Sequence, residues 1–224
     1  MMFQSIENYM IDRSKTFFRK EIGSEILFEP KSELSQKDAP IEYFWTRNPK
    51  ILKEYIKLID ERFRDEINVK DSYKKINDND FESYFYVAAK VDELVLGVRL
   101  SIVPPGGINL LPTENEGFNY KEFFSELDLE KNGYAELTRY SVNTKYRNQV
   151  NYDRGFKSFK ELCDEKNIKY LFLPGSGSRQ RLYKAFAGKY FKYIDKKKFN
   201  IAILDGQDDA LDAKDFWFYA YENI

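Results

Sequence analysis

The sequence contains no histidine. That excludes a Ser/His/Asp triad and the common zinc sets built on imidazole. It leaves a carboxylate, a lysine, a tyrosine or a relayed water as the general base of any reaction run near neutral pH. A single cysteine, Cys163, rules out an internal disulfide and a cysteine-rich metal site. It falls in a helix-like segment and reads as an inert structural thiol. The formal net charge is only −1 although 33% of the residues are charged. No bulk excess of either sign therefore draws the chain to nucleic acid or to an anionic membrane. No apolar run reaches the length of a transmembrane helix, and the first residues, MMFQSIENYMIDRSK, lack the apolar core of a secretory signal. The expectation is a cytoplasmic protein with no transmembrane segment and no nucleic-acid partner. No internal repeat is present. A chain of 224 residues is long enough to bury a proper core as one domain, with or without an extension.

Patterning along the chain divides it into residues 1–40, an N-terminal helical extension packed on the body, and residues 41–224, the body itself. Phe3, Ile6, Met10, Phe17, Phe18 and Ile22 form an imperfect helical stripe, and Ile26–Phe28 reads as a short strand. Ile41–Trp45 reads as a strand. Pro49 then starts a helix, at the position where proline is best tolerated, with a broad apolar face running to about Phe63. Asn68–Asp80 is charged and irregular. Tyr84–Ala89 and Leu94–Ile102 are strands around a hairpin turn at Asp92-Glu93. Pro104-Pro105-Gly106-Gly107 breaks the pattern before a short strand at Ile108–Leu111 and a helical turn or two at Tyr120–Leu127. Later elements are a helix from about Asn151 to Lys166, a buried strand at Tyr170–Leu173 closed by PGSGS, and a helix Arg179–Phe186 capped by Ser178. Two last strands fit Ile201–Leu204 and Phe216–Tyr221. The order fits a mixed sheet with helices on both faces.

The most informative stretch is Tyr134–Asn151, YAELTRYSVNTKYRNQVN. It reads as an alternating strand, a polar basic turn and the start of a helix, a natural place to hold a phosphate-bearing ligand. Two charges three apart in an otherwise apolar strand, Glu136 and Arg139, are unusual. Regular alternation puts them on opposite faces, so a direct pair requires a bulge, and Arg99 on a neighbouring strand is the easier partner for Glu136.

At ELTRYSV the chain resembles the acyl-homoserine-lactone synthase branch of the GNAT acyltransferase superfamily, together with the related N-acyl amino acid synthases. That branch carries a Glu-x-x-Arg signature on its fourth strand, matched here by Glu136, Thr138, Arg139, Tyr140 and Val142. Gly97-Val98-Arg99-Leu100 matches an upstream strand with an arginine after a small residue, and Asp78, Asp80 and Glu82 match acidic residues before the strand that precedes it. The similarity covers roughly Ile41 to Ile194. It departs from the lactone synthases at Ile59 and Val69, where they carry an arginine and a tryptophan that help enclose S-adenosylmethionine. The interval from Arg99 to Glu136 is longer than usual in that branch. Arg147–Tyr152 also lacks the glycines of the pyrophosphate loop of ordinary acetyltransferases, as the lactone synthases do.

The resemblance implies a GNAT-like α/β (α+β) fold, a mixed and mainly antiparallel sheet whose fourth and fifth strands splay apart to take the pantetheine arm of an acyl donor as an added strand. Backbone amides at the splay would stabilise the tetrahedral oxyanion, each worth on the order of 3 kcal/mol in comparable sites. Glu136 is the candidate base, acting through a water. Tyr183, in RLYKAFAG, resembles the helix tyrosine that protonates the departing thiolate. Arg99 and Arg139 are candidates for a bidentate grip on a substrate carboxylate, beside Thr138 and the Asp78/Asp80 pair, which lacks the regular ligand spacing of a metal site. Tyr140, Ser141, Val142, Arg147 and Asn148 fall where the pantetheine arm would lie. No tightly bound cofactor is expected; the donor is acyl-CoA or acyl carrier protein and the acceptor a small-molecule amine. Lys145, Arg147, Arg154, Lys157 and Lys160 would steer an acidic carrier protein, or simply form a solvated helix face balanced by Glu161 and Asp164.

Overall fold

The computed structural model describes residues 39–67, 83–91, 93–115, 117–176, 179–198 and 216–224. Its strands are β1 (Glu42–Thr46), β2 (Tyr84–Lys90), β3 (Glu93–Val103), β4 (Tyr134–Val142), β5 (Tyr170–Ser176), β6 (Phe191–Lys198) and β7 (Phe216–Asn223). They form one sheet in the order β1-β2-β3-β4-β5-β7-β6. Every pairing is antiparallel except that of β4 with β5. This is the mixed, mainly antiparallel sheet that the sequence predicts.

Helices cover both faces. On one face lies α1 (Pro49–Ile67), which buries Leu52, Tyr55 and Ile59 against Phe85 of β2. The same face carries three short helices, α2 (Pro112–Asn115), α3 (Tyr120–Phe123) and α4 (Leu129–Asn132). Their rings and aliphatics pack on Tyr134, Tyr170, Phe172 and Phe218. On the opposite face, α5 (Tyr152–Glu165) and α6 (Gln180–Phe186) lie over the larger core. That core takes Phe156, Phe159 and Cys163 from α5, Tyr183 from α6, and inward residues of β2, β3, β4, β5 and β7. Cys163 is fully buried, and burial pushes its thiol up to about 12, in keeping with a structural role.

Several boundaries differ from the sequence reading. Residues 107–111 are irregular rather than a strand. Glu93 is the first residue of β3 rather than part of a turn, and the reversal sits at Val91, which has φ 56°. PGSGS does not close β5, because Pro174, Gly175 and Ser176 continue it in register with β7. β6, absent from the sequence reading, is an edge strand among the described residues, and its FKYIDKKK lacks clean alternation. The helix and strand expected within residues 3–28, the loop Asn68–Asp80 with Asp78, Asp80 and Glu82, the cap Ser178 and the strand Ile201–Leu204 lie outside the described residues.

Candidate active site

β4 and β5 are joined by only three consecutive pairs, Tyr134↔Tyr170, Ala135↔Leu171 and Glu136↔Phe172. Beyond them each strand keeps its outer partner and loses the inner one. β4 stays paired with β3 up to Val142↔Leu96, and β5 with β7 up to Ser176↔Phe216. Among the described residues nothing pairs Leu137–Val142 with Leu173–Ser176. A fork therefore opens in the middle of the sheet, with Glu136 at its apex.

Pro174 shows how β5 tolerates this. A proline has no N–H for a ladder and belongs on strand edges. Here its carbonyl is taken by the Tyr183 hydroxyl at 3.0 Å. Tyr183 thus reaches from α6 to the rim of the fork. It is 1% exposed, and burial raises its hydroxyl above the ordinary tyrosine range.

A bulge interrupts β4 inside the ELTRYSV motif. Gly97 opposes Ser141 and Arg99 opposes Thr138, so Arg139 and Tyr140 together face Val98. Arg139 adopts φ 52°, and its carbonyl accepts the Tyr55 hydroxyl of α1 at 2.6 Å. The extra residue returns Tyr140 and Val142 to the α5 face, where Leu137 also lies, and puts Ser141 opposite Gly97 on the α1 face. Tyr140 stacks on Tyr152 at 6.0 Å, and Tyr152 in turn meets Phe186 at 5.4 Å. Burial, followed by the neighbouring tyrosines Tyr152, Tyr43 and Tyr183, holds the Tyr140 hydroxyl well above its usual range.

Glu136 is fully buried on the α1 face. Its Oε1 accepts the Thr113 hydroxyl at 2.8 Å. Its Oε2 accepts the Tyr120 hydroxyl at 3.0 Å and the Thr113 N–H at 3.4 Å. Arg99, 4% exposed, lies on the same face and donates Nε to Thr138 Oγ1 at 3.0 Å. Removal from water pushes the Glu136 carboxyl up to about 7, against the opposing pull of Thr113, the Arg99 charge and Tyr120. The carboxylate in turn holds the buried Tyr120 hydroxyl well above its ordinary value, second to desolvation itself. The Arg99 charge, on the neighbouring strand, thus acts on Glu136 in favour of its ionised form. A carboxyl titrating near neutrality at the apex of a fork has the proton affinity of a general base.

The residues from the Arg99–Glu136 interval are those the sequence did not identify. Thr113 comes from α2 and Tyr120 from α3, and beside them Glu114 of α2 accepts Leu111 N–H at 2.9 Å and the Tyr134 hydroxyl at 3.0 Å. Pro112 at a first helical position and Asn119, which caps α3 through the N–H groups of Lys121 and Glu122, mark the helix starts in the sequence. Neither signal says that the segment folds back onto Glu136.

The turn after β4 is anchored from β3. Glu93 accepts the Tyr146 hydroxyl at 2.6 Å, Lys145 Nζ at 2.9 Å and Asn143 Nδ2 at 3.1 Å. Arg147 and Asn148 follow on the exposed side, and the Arg147 charge lowers the proton affinity of Tyr152 against the effect of burial. Asn151 caps α5 by accepting Arg154 N–H at 3.0 Å, while its own N–H donates to the Tyr43 hydroxyl at 2.6 Å. Of the basic cluster, Lys145 is paired with Glu93 and Lys160 with Asp164, and Arg154 lies over the Tyr43 ring. Lys157 is exposed on α5.

The sequence matches no protein-family model and no curated protein. Solved structures do match it. FeeM, an N-acyl amino acid synthase from uncultured soil microbes, superposes with a TM-score of 0.55 at 11% identity, covering 83% of this chain and 92% of that one. A putative N-acetyltransferase from Lactobacillus plantarum gives 0.54 at 10% identity, over 83% and 99% of the two chains. The acyl-homoserine-lactone synthase LasI gives 0.50 at 13% identity, over 82% and 90%. With its forked mixed sheet, bulged fourth strand and helices on both faces, the chain has the fold of the GNAT acyltransferases, and its structural relatives include the N-acyl amino acid and acyl-homoserine-lactone synthases.

Proposed function

We propose that this protein is an N-acyltransferase that moves an acyl group from an acyl thioester, carried by CoA or by an acyl carrier protein, to the amine of a small molecule such as an amino acid. The observation that carries the reading is the fork between β4 and β5 with Glu136 at its apex. The unpaired edges of the fork offer an extended pantetheine arm the pairing of an added strand. Glu136, in its ionised form, takes a proton from the attacking ammonium or amine through a water. The amine attacks the thioester carbonyl directly. Tyr183 is proposed to protonate the departing thiolate, and Arg99, with Thr138 beside it, to hold a carboxylate on the acceptor. Arg139 and the Asp78/Asp80 pair are proposed to support the acceptor side, and Tyr140, Ser141, Val142, Arg147 and Asn148 the donor arm.

Release of free thiol from acyl-CoA and from acyl carrier protein, measured with a panel of amino acids and other small amines, tests the proposal. Amine-dependent thiol release is the expected result, and no turnover with any donor would sink it. Release of methylthioadenosine from S-adenosylmethionine would instead identify a lactone synthase. One observation favours a catalytically silent GNAT-like module: Glu136 is wholly buried and bonded to Thr113 and Tyr120. For such a module, Glu136→Gln would leave ligand binding unchanged and there would be no turnover to lose.

A further inference from the structure

Glu136 and Phe172 are the last residues that β4 and β5 share. Tyr120 touches both. Its hydroxyl donates to Glu136 Oε2 at 3.0 Å, and its ring stacks on Phe172 with centroids 4.2 Å apart and planes 20° from parallel. It is wholly buried, braced by Phe118 at 4.7 Å and Phe218 at 5.5 Å. Thr113 closes the other side of the carboxylate through its hydroxyl and its N–H. Neither Thr113 nor Tyr120 belongs to the sheet; both come from the long interval between Arg99 and Glu136.

We infer that Thr113 and Tyr120 are positioning residues for Glu136: together they fix its carboxylate at the apex of the fork and leave Oε1 as the oxygen that exchanges the proton. A carboxylate offers about four acceptor sites, two on each oxygen. Tyr120 and the Thr113 N–H occupy Oε2, whereas the Thr113 hydroxyl alone occupies Oε1. Among the described residues, one acceptor site therefore remains, on Oε1. Tyr120 also ties this geometry to β5, because shifting Phe172 moves the ring that holds Oε2.

The other titratable groups facing this carboxylate are Arg99 from β3, whose charge favours ionisation, and Glu114 from α2 and Tyr134 from β4, which bond to each other instead. Hydrogen bonds to the ionised form lower a carboxyl pKa, so removing a donor here raises it.

This inference rests on the acyltransferase reading for its catalytic meaning, but its test does not need turnover. The variants are Tyr120→Phe, Thr113→Val and, as a control that removes a neighbouring buried hydroxyl bonded to Glu114, Tyr134→Phe. Thermal stability is followed from pH 5 to 9 for each. In the wild type the fall in stability that accompanies ionisation of Glu136 begins near pH 4.5 and levels off near pH 7. Tyr120→Phe and Thr113→Val are expected to move the levelling-off upward by about one pH unit, the shift that corresponds to a tenfold change in proton affinity. Tyr134→Phe is expected to leave it in place, and Thr113→Ser, which restores a hydroxyl, to return it. Where turnover is measurable, the same two variants are expected to lower kcat at pH 7 about fivefold, because the ionised fraction falls from about one half to about one tenth, with KM changed less than about twofold. A stability profile for Tyr120→Phe and Thr113→Val that coincides with the wild type, or that Tyr134→Phe reproduces, overturns the inference. If a variant does not fold, the remaining hydroxyl variant carries the same comparison. Absence of turnover with every donor would count against the acyltransferase reading, and the stability profile would still decide the positioning role.

Discussion

Two buried side chains, one charged and one aromatic, set the behaviour of the site at the scale of single residues. Glu136 has a folded pKa of about 7, above its unfolded value near 4.5, so the fold favours its protonated form. Its contribution to stability is fully present below about pH 4.5 and is lost as pH rises through about 7. The span corresponds to roughly 3 kcal/mol. Glu136→Gln is expected to flatten the decline in Tm between about pH 5 and 7 while abolishing any rate limb that rises through pH 7. A variant whose Tm still falls like the wild type's would show that another group titrates there. Gly97 answers to sterics instead. A Cβ at this position would sit 2.2 Å from the Tyr55 ring, the same ring whose hydroxyl holds the Arg139 carbonyl of the bulge. Gly97→Ala is expected to destabilise the protein by about 1–3 kcal/mol, read as a lowered denaturation midpoint. The Gly-x-Arg pattern was visible in the sequence. Its cause, the Tyr55 ring of α1 packed against the strand at Gly97, was not.

Among the elements, β4 was the most legible and its surroundings the least. Alternation and the Glu-x-x-Arg spacing identified the strand, and Arg99 was legible as the easier partner for Glu136; a bulge entered only as the condition for a direct Glu136–Arg139 pair, and that the strand bulges at Arg139 regardless was not legible. α1 and α5 were legible because their apolar faces are long and periodic. β6 was not, because an edge strand rich in lysine carries no alternation to read. The extension of β5 through Pro174 was hidden for a related reason: proline signals a turn unless the strand has lost a neighbour, and only the fork removes it. Pairing also reshapes the basic cluster. The Glu93 carboxyl is held below its usual range by Tyr146 first and Lys145 second. Its stabilising effect is therefore present above pH 4.5 and fades as pH falls through the depressed value. Because the pair is solvent-screened, Glu93→Gln is expected to cost less than about 1 kcal/mol. Its larger expected effect is a rise in KM for the donor, since the turn leading to Arg147, Asn148 and α5 loses its anchor. An unchanged donor KM would mean that the turn holds itself.

For the whole molecule, the order of strands places β1–β4 on one side of the fork and β5, β7 and β6 on the other, joined by three residue pairs. What prevents the halves from acting independently is the larger core, which draws on β2, β3 and β4 from one side and on β5, β7 and α6 from the other. A donor arm seated in the fork would add backbone pairing to both. Ligand that binds only the folded state stabilises it by mass action, about 2.7 kcal/mol at a hundredfold excess over Kd. A saturating acyl-CoA is therefore expected to raise Tm, and a pantetheine fragment lacking the nucleotide to raise it less. No shift with either would argue against occupancy of the fork.

The shortness of that joint has a practical consequence. The chain contains two tryptophans, and they fall one on each side of it. Trp45, in β1, packs edge-on against Tyr86 and Phe159, whereas Trp217, in β7, lies beneath the ammonium groups of Lys196 and Lys198. The two indoles sit in environments different enough to give distinct emission, so each half of the sheet carries its own optical reporter without labelling. Single-tryptophan variants made by Trp45→Phe and Trp217→Phe are expected to unfold at the same denaturant concentration if the shared core binds the halves into one cooperative unit. Separate midpoints would reveal a molecule that melts from its middle outward, one leaf at a time.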